Sequence, residues 1–513
     1  MLYNKRMTNN IRTNVIVNII RTVVLTFLSF ITFPWVCRYL GDASVGIYTW
    51  CNTFVAYFLI LAKIGIPNLA IRECVKVRDN KELLSNKVQA FFLIQSISTV
   101  LSFGLMTSLV FAVPELRESS SIVFLLSINF LSGAFSFEWV YIALEKQFYM
   151  SVRSIIVLTI TAVLTIAFVN KPEDIYIYSL IAVSVTVLSS LANAIYIRKF
   201  VSFTKTMPYN LKQYVKPLVI LCVLSIALSL YNQTDTFILG FLNEDKTQVA
   251  SYSVGIKGID VIIGIIAALS TVFIPRSAFY YQQEDKKYFK NLTKYSMNIC
   301  LFIVLPAIVT MIIMAEPICG LIAGVDYSVA DAAYDSAPKI LMILAPIMLT
   351  FSLGDIIYGQ VLLPMKKEKF YLLAVLGGTI VNVLLSLHLG INIYYQHHSV
   401  GVAIATTITD AAIIVVLFAI TWKWTGKALF NKNTLKLLLA NGVVAALTLV
   451  SHFVIMPLIT TKMGSISSRY VVELISTVLV DAIAYIGVCI LIKEDLVYSF
   501  IKNRKNKKVE ENA

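Results

Sequence analysis

Long apolar stretches alternate with short polar segments from one end of the chain to the other. Fourteen of these stretches are long enough to cross the hydrocarbon core of a bilayer, roughly 30 Å, as a helix. The predicted spans are 13–38, 45–67, 89–113, 121–143, 150–169, 174–197, 214–240, 252–275, 293–316, 336–360, 371–390, 399–421, 434–455 and 471–492. The pattern predicts an all-α polytopic membrane protein with about 14 transmembrane helices.

The basic residues fall mainly into every second gap between these spans. Of the 43 Lys and Arg, 33 lie in the N-terminus, the even-numbered gaps with their flanking turns, and the C-terminal tail. The odd-numbered gaps with their flanking turns hold seven, and three lie more than three residues inside a span. Short loops that are enriched in Lys and Arg remain in the cytoplasm. We therefore expect both termini to be cytoplasmic.

The composition excludes several classes of protein. A hydrophobic fraction of 58% with only 14% charged residues lies outside the range of soluble proteins. The longest extramembrane segments, 198–213 and 276–292, are too short to bury a core of their own. The net charge of +14 is spread over the cytoplasmic segments, so we expect no nucleic-acid partner. We also expect no cleavable signal peptide, because the first span is too long for one.

No catalytic or metal-binding pattern appears in the sequence. We find no nucleophile–base pair, no phosphate-binding loop and no nucleotide-binding motif. The seven cysteines form no CxxC motif, and His397 and His398 have no third ligand nearby. We therefore expect a protein that is not an enzyme, that has no metal site and that carries no cofactor.

Two segments that lie six spans apart resemble each other. The stretches 39–48 (YLGDASVGIY) and 238–252 (ILGFLNEDKTQVASY) each end a span with Leu-Gly, turn at acidic residues and reach a Tyr at the next span. Because six is an even number, both copies point the same way through the membrane. Parallel repeats of this kind form two lobes with the substrate site between them. We predict an N-lobe over 1–200, a C-lobe over 201–425, and two extra C-terminal helices with a basic tail over 426–513.

Four cationic residues within the predicted spans or at their ends are candidates for binding a ligand. Arg21 lies about eight residues into the first span, roughly 12 Å from its cytoplasmic end, and Lys63 lies four residues before Pro67 in the second. Arg38 ends the first span, and Lys257 lies early in the eighth. A charge at the bilayer centre costs at least about 2.5–3.5 kcal/mol, so such residues usually face a cavity. Because Arg and Lys bind phosphate well, we predict a cationic path for an anion.

Acidic residues within the spans are candidates for coupling transport to a proton or sodium gradient. The predicted relay residues are Asp235, Asp260, Glu138 and Asp355. Asp410 and Asp481 are further single acids that could serve the same role. A structural alternative stays open, because Lys257 and Asp260 are three residues apart on one helical face. Together with Asp235, at the end of the preceding span, they could neutralise one another.

Three longer motifs extend these observations. They are FPWVCRYLGDASVGIYTW (33–50) with GIPNLAIRE (65–73), DTFILGFL…VASYSVGIKG (235–258), and LLPMKKEKFYLLAVLGGTIVNVLLSLHLG…SVGVAIATTITD (362–410). In these motifs, and over nearly its whole length, the chain resembles the Wzx-type polysaccharide flippases of the multidrug/oligosaccharidyl-lipid/polysaccharide (MOP) exporter superfamily.

The resemblance implies a fold, a location and a substrate. It implies two six-helix lobes around a central V-shaped cavity, plus two added helices, in the bacterial cytoplasmic (inner) membrane. It implies a substrate of undecaprenyl-pyrophosphate carrying an oligosaccharide, moved from the cytoplasmic to the outer leaflet for surface polysaccharide biosynthesis. Membrane lipids and the polysaccharide polymerase machinery are the other partners it suggests. The positions that match the cavity cations of this family, by span and depth, are Arg21, Arg38, Lys63 and Lys257.

Two alternatives stay open. A multidrug or cation antiporter of the same superfamily would share the fold, but those proteins often carry an acidic residue in the first helix, where this chain has Arg21. A membrane polysaccharide polymerase or transferase belongs to another class and usually carries a sizeable polar loop. The longest extracytoplasmic gap here, 317–335, is modest and acidic.

Overall fold

A computed structural model describes residues 2–204, 208–327, 333–393, 397–455, 457 and 466–499 of the chain. Helices provide the regular secondary structure, and no strand occurs in those ranges. The chain forms two compact units, Met1–Ala250 and Ser251–Ala513. The predicted all-α fold class is confirmed.

The first unit is built around the longest helix of the chain, α1, which packs against α3, α8 and α10. The helices of this unit are α1 (Leu2–Lys63), α2 (Ile66–Val75), α3 (Lys81–Ala112), α4 (Pro114–Glu118), α5 (Ser120–Ser127), α6 (Asn129–Ala134), α7 (Glu138–Ala143), α8 (Gln147–Phe168), α9 (Ile175–Tyr196) and α10 (Lys212–Leu242). Two short 3₁₀ turns, Pro172–Asp174 and Ile197–Lys199, flank α9.

The second unit contains α-helices and three π-helical segments. It comprises α11 (Thr247–Gln282), which begins at the end of the first unit, α12 (Lys286–Ile313), α13 (Ala315–Ala323), α14 (Ala337–Leu344), α15 (Ile347–Ile356), π1 (Ile357–Leu362), α16 (Glu368–His388), π2 (Leu389–Ile393), α17 (His398–Leu429), α18 (Lys432–Val450), π3 (Ser451–Ile455) and α19 (Ile466–Leu491). Helix α17 packs against α12, α14, α15 and α16, whereas α18 packs against both α12 and α19.

Many of these helices can cross a membrane. In the described residues, 11 helices are long and apolar enough to do so, or up to 13 if each of two bent pairs is one span. The bent pairs are Lys212–Ala227 with Ser229–Leu242, and Ala337–Leu344 with Ile347–Leu362. The protein is therefore a multi-pass membrane protein, and the number of about 14 spans stays a prediction.

The longest candidate span, Val24–Val75, contains a break at Gly41. Its 52 residues would extend about 78 Å as one straight helix, more than twice the roughly 30 Å of hydrocarbon. Gly41 has φ 75° and ψ 170°, a conformation that glycine adopts without steric cost. Helix α1 therefore has two arms, residues 2–40 and 42–63, and the break lies where the sequence predicts the first loop.

Both flanks of this break are attached to the same neighbouring segment. Trp35 Nε1 donates to the carbonyl oxygen of Val169 at 2.9 Å. Ser44 Oγ donates to the carbonyl oxygen of Pro172 at 3.3 Å. The two arms of α1 are thus fixed to the connection between α8 and α9 at one end of the unit.

Polar side chains fix the starts of two helices that follow polar gaps. The Asn80 side chain accepts hydrogen bonds from the backbone N–H groups of Glu82 and Leu83 at the start of α3. Asn431 caps α18 in the same way. Such caps satisfy backbone donors that a helix start leaves unpaired, and each stabilises the helix by about 1 kcal/mol.

The outward surfaces of both units are rich in apolar side chains. Val100, Ile195, Ile380 and Leu491 are all more than half exposed. A surface of this kind would favour aggregation in water, whereas in a bilayer it is the surface that contacts lipid.

The predicted lobe boundaries at 200/201 and 425/426 stay a prediction. Helix α10, which the repeat assigns to the second lobe, packs here against α1 and α2 in the first unit.

Candidate functional site

Arg21 and Lys63 lie far along the two arms of α1 from the break. Arg21 lies 20 residues before Gly41 and Lys63 lies 22 residues after it, which corresponds to about 30 Å and about 33 Å of helix. Arg38 lies three residues before the break and about 26 Å along the first arm from Arg21. Arg21 and Lys63 are therefore each about one membrane thickness from the break, and Arg38 lies beside it.

The guanidinium group of Arg21 is incompletely paired. The side chain is half-buried, and its Nε atom is enclosed without a hydrogen-bond partner among the described residues. An arginine keeps its charge in proteins and has five N–H donors. A buried donor without an acceptor costs about 1–3 kcal/mol. A ligand with anionic oxygens would supply such an acceptor.

Lys63 is the last residue of α1, and its side chain is exposed. The next two residues, Ile64 and Gly65, have left-handed φ values of 43° and 71°. A Cβ atom at Gly65 would lie 2.5 Å from Cβ of Leu221, so the turn packs closely against α10. The turn fixes the backbone position of Lys63, whereas the ammonium group of Lys63 is exposed.

The two remaining predicted cations lie in different units. Arg38 is exposed in the first unit, and Lys257 is half-buried on α11 in the second. The charge of Lys257 acts on the carboxyl group of Asp260, three residues later on the same helix. The structural alternative for this pair therefore stays open. Asp235 lies half-buried on α10 in the first unit.

Glu138, a predicted relay residue, belongs to a buried polar network in the first unit. Arg153 Nη2 donates to Glu138 Oε1 at 2.7 Å, and Arg153 Nη1 donates to Oδ1 of Asn193. Asn193 Nδ2 donates to the carbonyl oxygen of Ser136, and Tyr141 OH donates to the carbonyl oxygen of Asn193 at 2.6 Å. The side chain of Arg153 is only 7% exposed. We call Glu138, Arg153 and Asn193 the arginine cluster; it connects α7, α8 and α9.

The predicted fourth span is interrupted next to the arginine cluster. Helix α6 ends at Ala134 and α7 begins at Glu138, and Phe137 has a left-handed φ of 44°. Non-helical backbone at membrane depth persists only where protein or a water-filled cavity satisfies it. Asn193 does this for the carbonyl group of Ser136. The cluster therefore stabilises a break in a membrane-spanning segment.

The two similar segments of the sequence contact each other. A Cβ atom at Gly46 would lie 1.9 Å from the carbonyl oxygen of Lys246, and one at Gly240 would lie 1.9 Å from Cδ1 of Trp50. The Lys246 ammonium group lies 4.6 Å from the centre of the Trp50 ring. Burial lowers the pKa of Lys246, and nearby carboxylates, that of Glu115 foremost, oppose this shift. The similarity thus marks a close contact between α1 and the α10–α11 connection.

A second polar cluster surrounds π1 in the second unit. Gln360 is fully buried, and neither its Oε1 nor its Nε2 has a partner among the described residues. The hydroxyl groups of Ser270 and Ser296 are likewise buried and without partners there. These three residues and Cys300 line a small cavity together with five apolar side chains, and its volume is at the lower limit for one water molecule. We call Gln360, Ser270 and Ser296 the glutamine cluster.

Asp355, another predicted relay residue, lies near the glutamine cluster. It is half-buried on α15, five residues before Gln360. Its carboxyl group lies close to the hydroxyl of Ser270, and its charge reaches Cys300. Carboxylate, hydroxyl and amide oxygens are the ligands that hard cations prefer. Because π-helical turns occur frequently at functional sites, this region is the best candidate in the second unit for a bound water or small cation.

The histidines and cysteines offer no metal centre in the described part of the chain. No group of three or more His, Cys, Asp or Glu is placed there to hold a metal ion. His397 Nδ1 lies 3.5 Å from Oγ of Ser336, and His398 Nδ1 lies 2.9 Å from the carbonyl oxygen of Gly390. The seven cysteines are buried as free thiols.

Five residues of these two clusters were not predicted as site residues from the sequence: Arg153, Asn193, Gln360, Ser270 and Ser296. The sequence assigns Arg153 to the charges of a cytoplasmic gap, whereas the structure buries it against Glu138. A short turn, 144–146, separates α7 from α8, and this proximity is the signal that could have paired the two charges. Gln360 and Asn193 are single amides in apolar helices, and no spacing in the sequence distinguishes them from ordinary packing residues.

Two family models match the chain, and their matched ranges overlap. The family model described as "Polysaccharide biosynthesis protein" matches residues 11–281. A second model, described as "MatE", matches residues 221–387. A protein of Escherichia coli (strain K12) named "Putative O-antigen transporter" is 23% identical over 361 residues, which cover 70% of this chain and 85% of that protein.

Solved structures show the same fold. The lipid II flippase MurJ, in an inward closed conformation, superposes with a TM-score of 0.71 at 15% identity, over 93% of this chain and 99% of that one. A multidrug resistance MATE family transporter of the MOP superfamily, in an inward-facing conformation, gives a TM-score of 0.57 at 14% identity, over 80% of this chain and 99% of that one.

Proposed function

We propose that the chain is a lipid-linked oligosaccharide flippase. It belongs to the polysaccharide biosynthesis protein family, and its resemblance to the Wzx-type proteins of the MOP superfamily is confirmed. It moves undecaprenyl-pyrophosphate-linked oligosaccharide units from the cytoplasmic to the outer leaflet of the cytoplasmic membrane by alternating access. The product serves surface polysaccharide biosynthesis.

The names of the related proteins support a lipid-linked substrate. One relative is named for O-antigen transport, and the fold is that of a flippase for lipid II. Both names denote transport rather than catalysis, which supports the expectation that this chain is not an enzyme. The polysaccharide polymerase machinery would act on the flipped product and is the proposed partner.

The observation that carries the proposed substrate class is the incomplete pairing of Arg21. Its buried Nε has no acceptor among the described residues, and it lies on the first arm of α1. A guanidinium group matches the geometry of phosphate oxygens and can bind two of them at once. A pyrophosphate group would therefore complete the hydrogen bonding of Arg21, while the undecaprenyl chain stays in the bilayer.

Lys63 is the second proposed contact. Lys63 lies 22 residues after Gly41 on the second arm, and Arg21 lies 20 residues before Gly41 on the first. Under the predicted orientation, both ends lie on the cytoplasmic side. The pyrophosphate would first meet Lys63 and Arg21, and would leave past Arg38 and Lys257.

A proton or sodium gradient would reset the carrier. Of the predicted relay residues, Glu138 is ion-paired with Arg153, and Asp260 lies within range of the charge of Lys257. Asp355 lies beside the glutamine cluster, whose unpaired oxygens would accept a water or a cation. Of these three residues, we therefore favour Asp355 as a coupling carboxylate.

A drug or cation antiporter is the second candidate function. The match of residues 221–387 to the MatE model favours it. Arg21 opposes it, because a half-buried arginine in the first helix repels an organic cation. Transport of a cationic dye at a rate that Arg21→Ala leaves unchanged would favour the antiporter.

Deletion of the gene from a host that makes a surface polysaccharide tests the proposed function. We expect lipid-linked single repeat units to accumulate where a membrane-impermeant periodate reagent cannot oxidise their sugars. Accumulation of single units that the reagent does oxidise would overturn the proposal, because flipping would then be intact and polymerisation would be at fault.

A further inference from the structure

Helices α18 and α19 are joined by a column of buried polar contacts. His452 Nδ1 lies 2.6 Å from Oε1 of Glu473, and Ser451 Oγ lies 3.0 Å from Oγ1 of Thr477. These contacts lie where π3 follows α18. They form the first half of a column that we call the polar seam.

The polar seam continues one helical turn further along both helices. Thr448 Oγ1 donates to Oδ2 of Asp481 at 2.7 Å. At the far end of the helix pair, Asn433 Nδ2 donates to Oε1 of Glu494 at 2.8 Å. Asp481 and Glu494 are 5% and 0% exposed, so these carboxyl groups are enclosed by protein.

The spacing of the seam residues puts them on one face of α19. Glu473, Thr477, Asp481 and Tyr485 follow one another at intervals of four residues, which places them along one helix face. From Glu473 to the helix end at Leu491, 18 residues span about 27 Å. The polar seam therefore runs through most of the thickness of the hydrocarbon core.

Three polar atoms within the seam lack partners. Asp481 Oδ1, Asn441 Oδ1 and the Tyr485 hydroxyl are buried, with no hydrogen-bond partner among the described residues. A polar group in hydrocarbon costs several kcal/mol when it is unpaired. Water molecules at these atoms would satisfy them and connect Asp481 toward Tyr485.

No ion pair joins Asp481 to a basic side chain among the described residues, and its hydrogen-bond partner there is Thr448. From α12, the apolar side chains of Leu301, Phe302 and Leu305 pack against the helix pair. Near Tyr485 lie the thiol of Cys489, on α19, and the carboxyl group of Glu494, just beyond the end of that helix.

Other ionisable groups lie near the ends of the helix pair, and one of them is Arg469, four residues before Glu473 on α19, whose Nε is enclosed without a hydrogen-bond partner among the described residues. Toward α13, the Tyr470 hydroxyl donates to Asp326 at 3.4 Å, and Glu316 lies nearby. At the other end, Lys436 lies 3.6 Å from Asp495. Among the described residues, the partner of Asp481 is thus a hydroxyl group rather than a cation.

We propose that the polar seam is a proton-transfer site of the transporter, with Asp481 as the group that binds and releases the proton. The His452–Glu473 pair would exchange protons with one side of the membrane. Tyr485 and Glu494 would form the route to the other side, which is the cytoplasm under the predicted orientation. In the step, the Asp481 carboxyl O–H bond breaks, its proton passes to a water molecule, and a carboxylate remains until the next proton arrives.

This assignment gives the two helices outside the predicted repeat a role in energy coupling. A purely structural seam would need polar pairs but no exchangeable proton, so an isosteric amide distinguishes the two roles. Asp481→Asn keeps an oxygen that can accept from Thr448 and removes the titratable group. Thr477→Val serves as a matched control, because it removes a seam hydrogen bond without changing a titratable residue.

Infrared difference spectroscopy on the full-length protein in liposomes, between bath pH 5 and pH 9, tests the proposal without any substrate. We expect wild type and Thr477→Val to show a change in the C=O stretch of a protonated carboxyl group. Asp481→Asn should lack that change, and Thr448→Val should shift its frequency. The same carboxyl change in wild type and Asp481→Asn would overturn the proposal.

A transport measurement adds a functional result and rests on the proposed flippase activity. In proteoliposomes, the flipping of lipid-linked oligosaccharide by Asp481→Asn is measured with and without a proton gradient. Its acceleration by a proton gradient should fall to a ratio of about one. Full acceleration in Asp481→Asn would overturn the proton-transfer role. Failure of wild type to flip any lipid would instead count against the proposed function, and the infrared result would still decide on the seam.

Discussion

Arg153 and Glu138 form an ion pair of 2.7 Å in which the arginine is 7% exposed and the glutamate is 45% exposed. The arginine also donates to Asn193, which in turn holds the carbonyl group of Ser136 at the break before α7. The arginine is therefore enclosed by protein, whereas part of the glutamate side chain is accessible from outside the unit. The pair thus stabilises the backbone at the break. Substitution of the arginine should lower the stability of the protein more than substitution of the glutamate.

Replacing Arg153 by Gln should destabilise the protein by about 1–3 kcal/mol, because Asn193 then loses a charged donor inside the unit. Arg78→Gln is the matched control, since the Arg78–Glu145 pair is exposed on both sides and such pairs contribute about 0–1 kcal/mol. Thermal unfolding in detergent compares the two. Equal melting temperatures for both variants would contradict an anchoring role for Arg153.

Gly46→Ala should destabilise the first unit by about 1–3 kcal/mol, the usual cost of overpacking. The added Cβ would lie 1.9 Å from the backbone oxygen of Lys246, so the backbone itself must move. Gly104→Ala is the control in the same unit, because no atom lies within 4 Å of its added Cβ. Thermal unfolding should therefore separate the two alanine variants, and a loss as large in Gly104→Ala would refute the close contact.

Asp355→Asn should reduce the response of transport to an ion gradient while leaving gradient-free flipping near the wild-type rate. The amide keeps the shape of the side chain and removes the charge beside the glutamine cluster. Initial rates in proteoliposomes, with sodium or proton gradients applied separately, identify which ion is involved. Glu284→Gln, an exposed change outside the spans, is the control. A full response to both gradients in Asp355→Asn would exclude a role for Asp355 in ion coupling.

Gln360→Leu should reduce transport without reducing the stability of the protein. Leucine removes two buried polar atoms that lack partners among the described residues, so the melting temperature should stay level or rise. Transport should fall at least several-fold if the cavity holds a water or cation that the amide binds. Wild-type transport in a protein that unfolds at a lower temperature would show that Gln360 serves packing alone.

The apolar pattern predicted the fold class because each membrane span is a continuous run of about 20 apolar residues, which can be recognised without the rest of the chain. A run of apolar residues must be a helix in hydrocarbon, since no other open structure pairs its backbone there. The first two predicted spans flank Gly41, and the backbone of this glycine leaves the helical region between them. No comparable local signal predicts the break at Phe137, because that break depends on the side chain of Asn193, which lies on another helix.

The candidate site was predictable only in part, for the same reason. Arg21 stands out because its charge lies deep within an apolar run. The unpaired amide of Gln360 and the burial of Arg153 arise from packing between distant helices, which no local pattern encodes. Asp481 was predictable in part. The sequence shows a single acid within a span, but its contact with Thr448 depends on the packing of α18 against α19.

Flipping of a fluorescent undecaprenyl-pyrophosphate oligosaccharide in proteoliposomes tests the central claim most directly. We predict activity in the wild-type protein and a loss of about 10- to 100-fold in Arg21→Ala, because a hydrogen bond to a charged group contributes about 1.5–3 kcal/mol. Lys287→Ala, an exposed change at the start of α12, should keep the wild-type rate. Equal flipping by wild type and Arg21→Ala would contradict the cationic path, and transport of a cationic dye without any flipping would contradict the flippase itself.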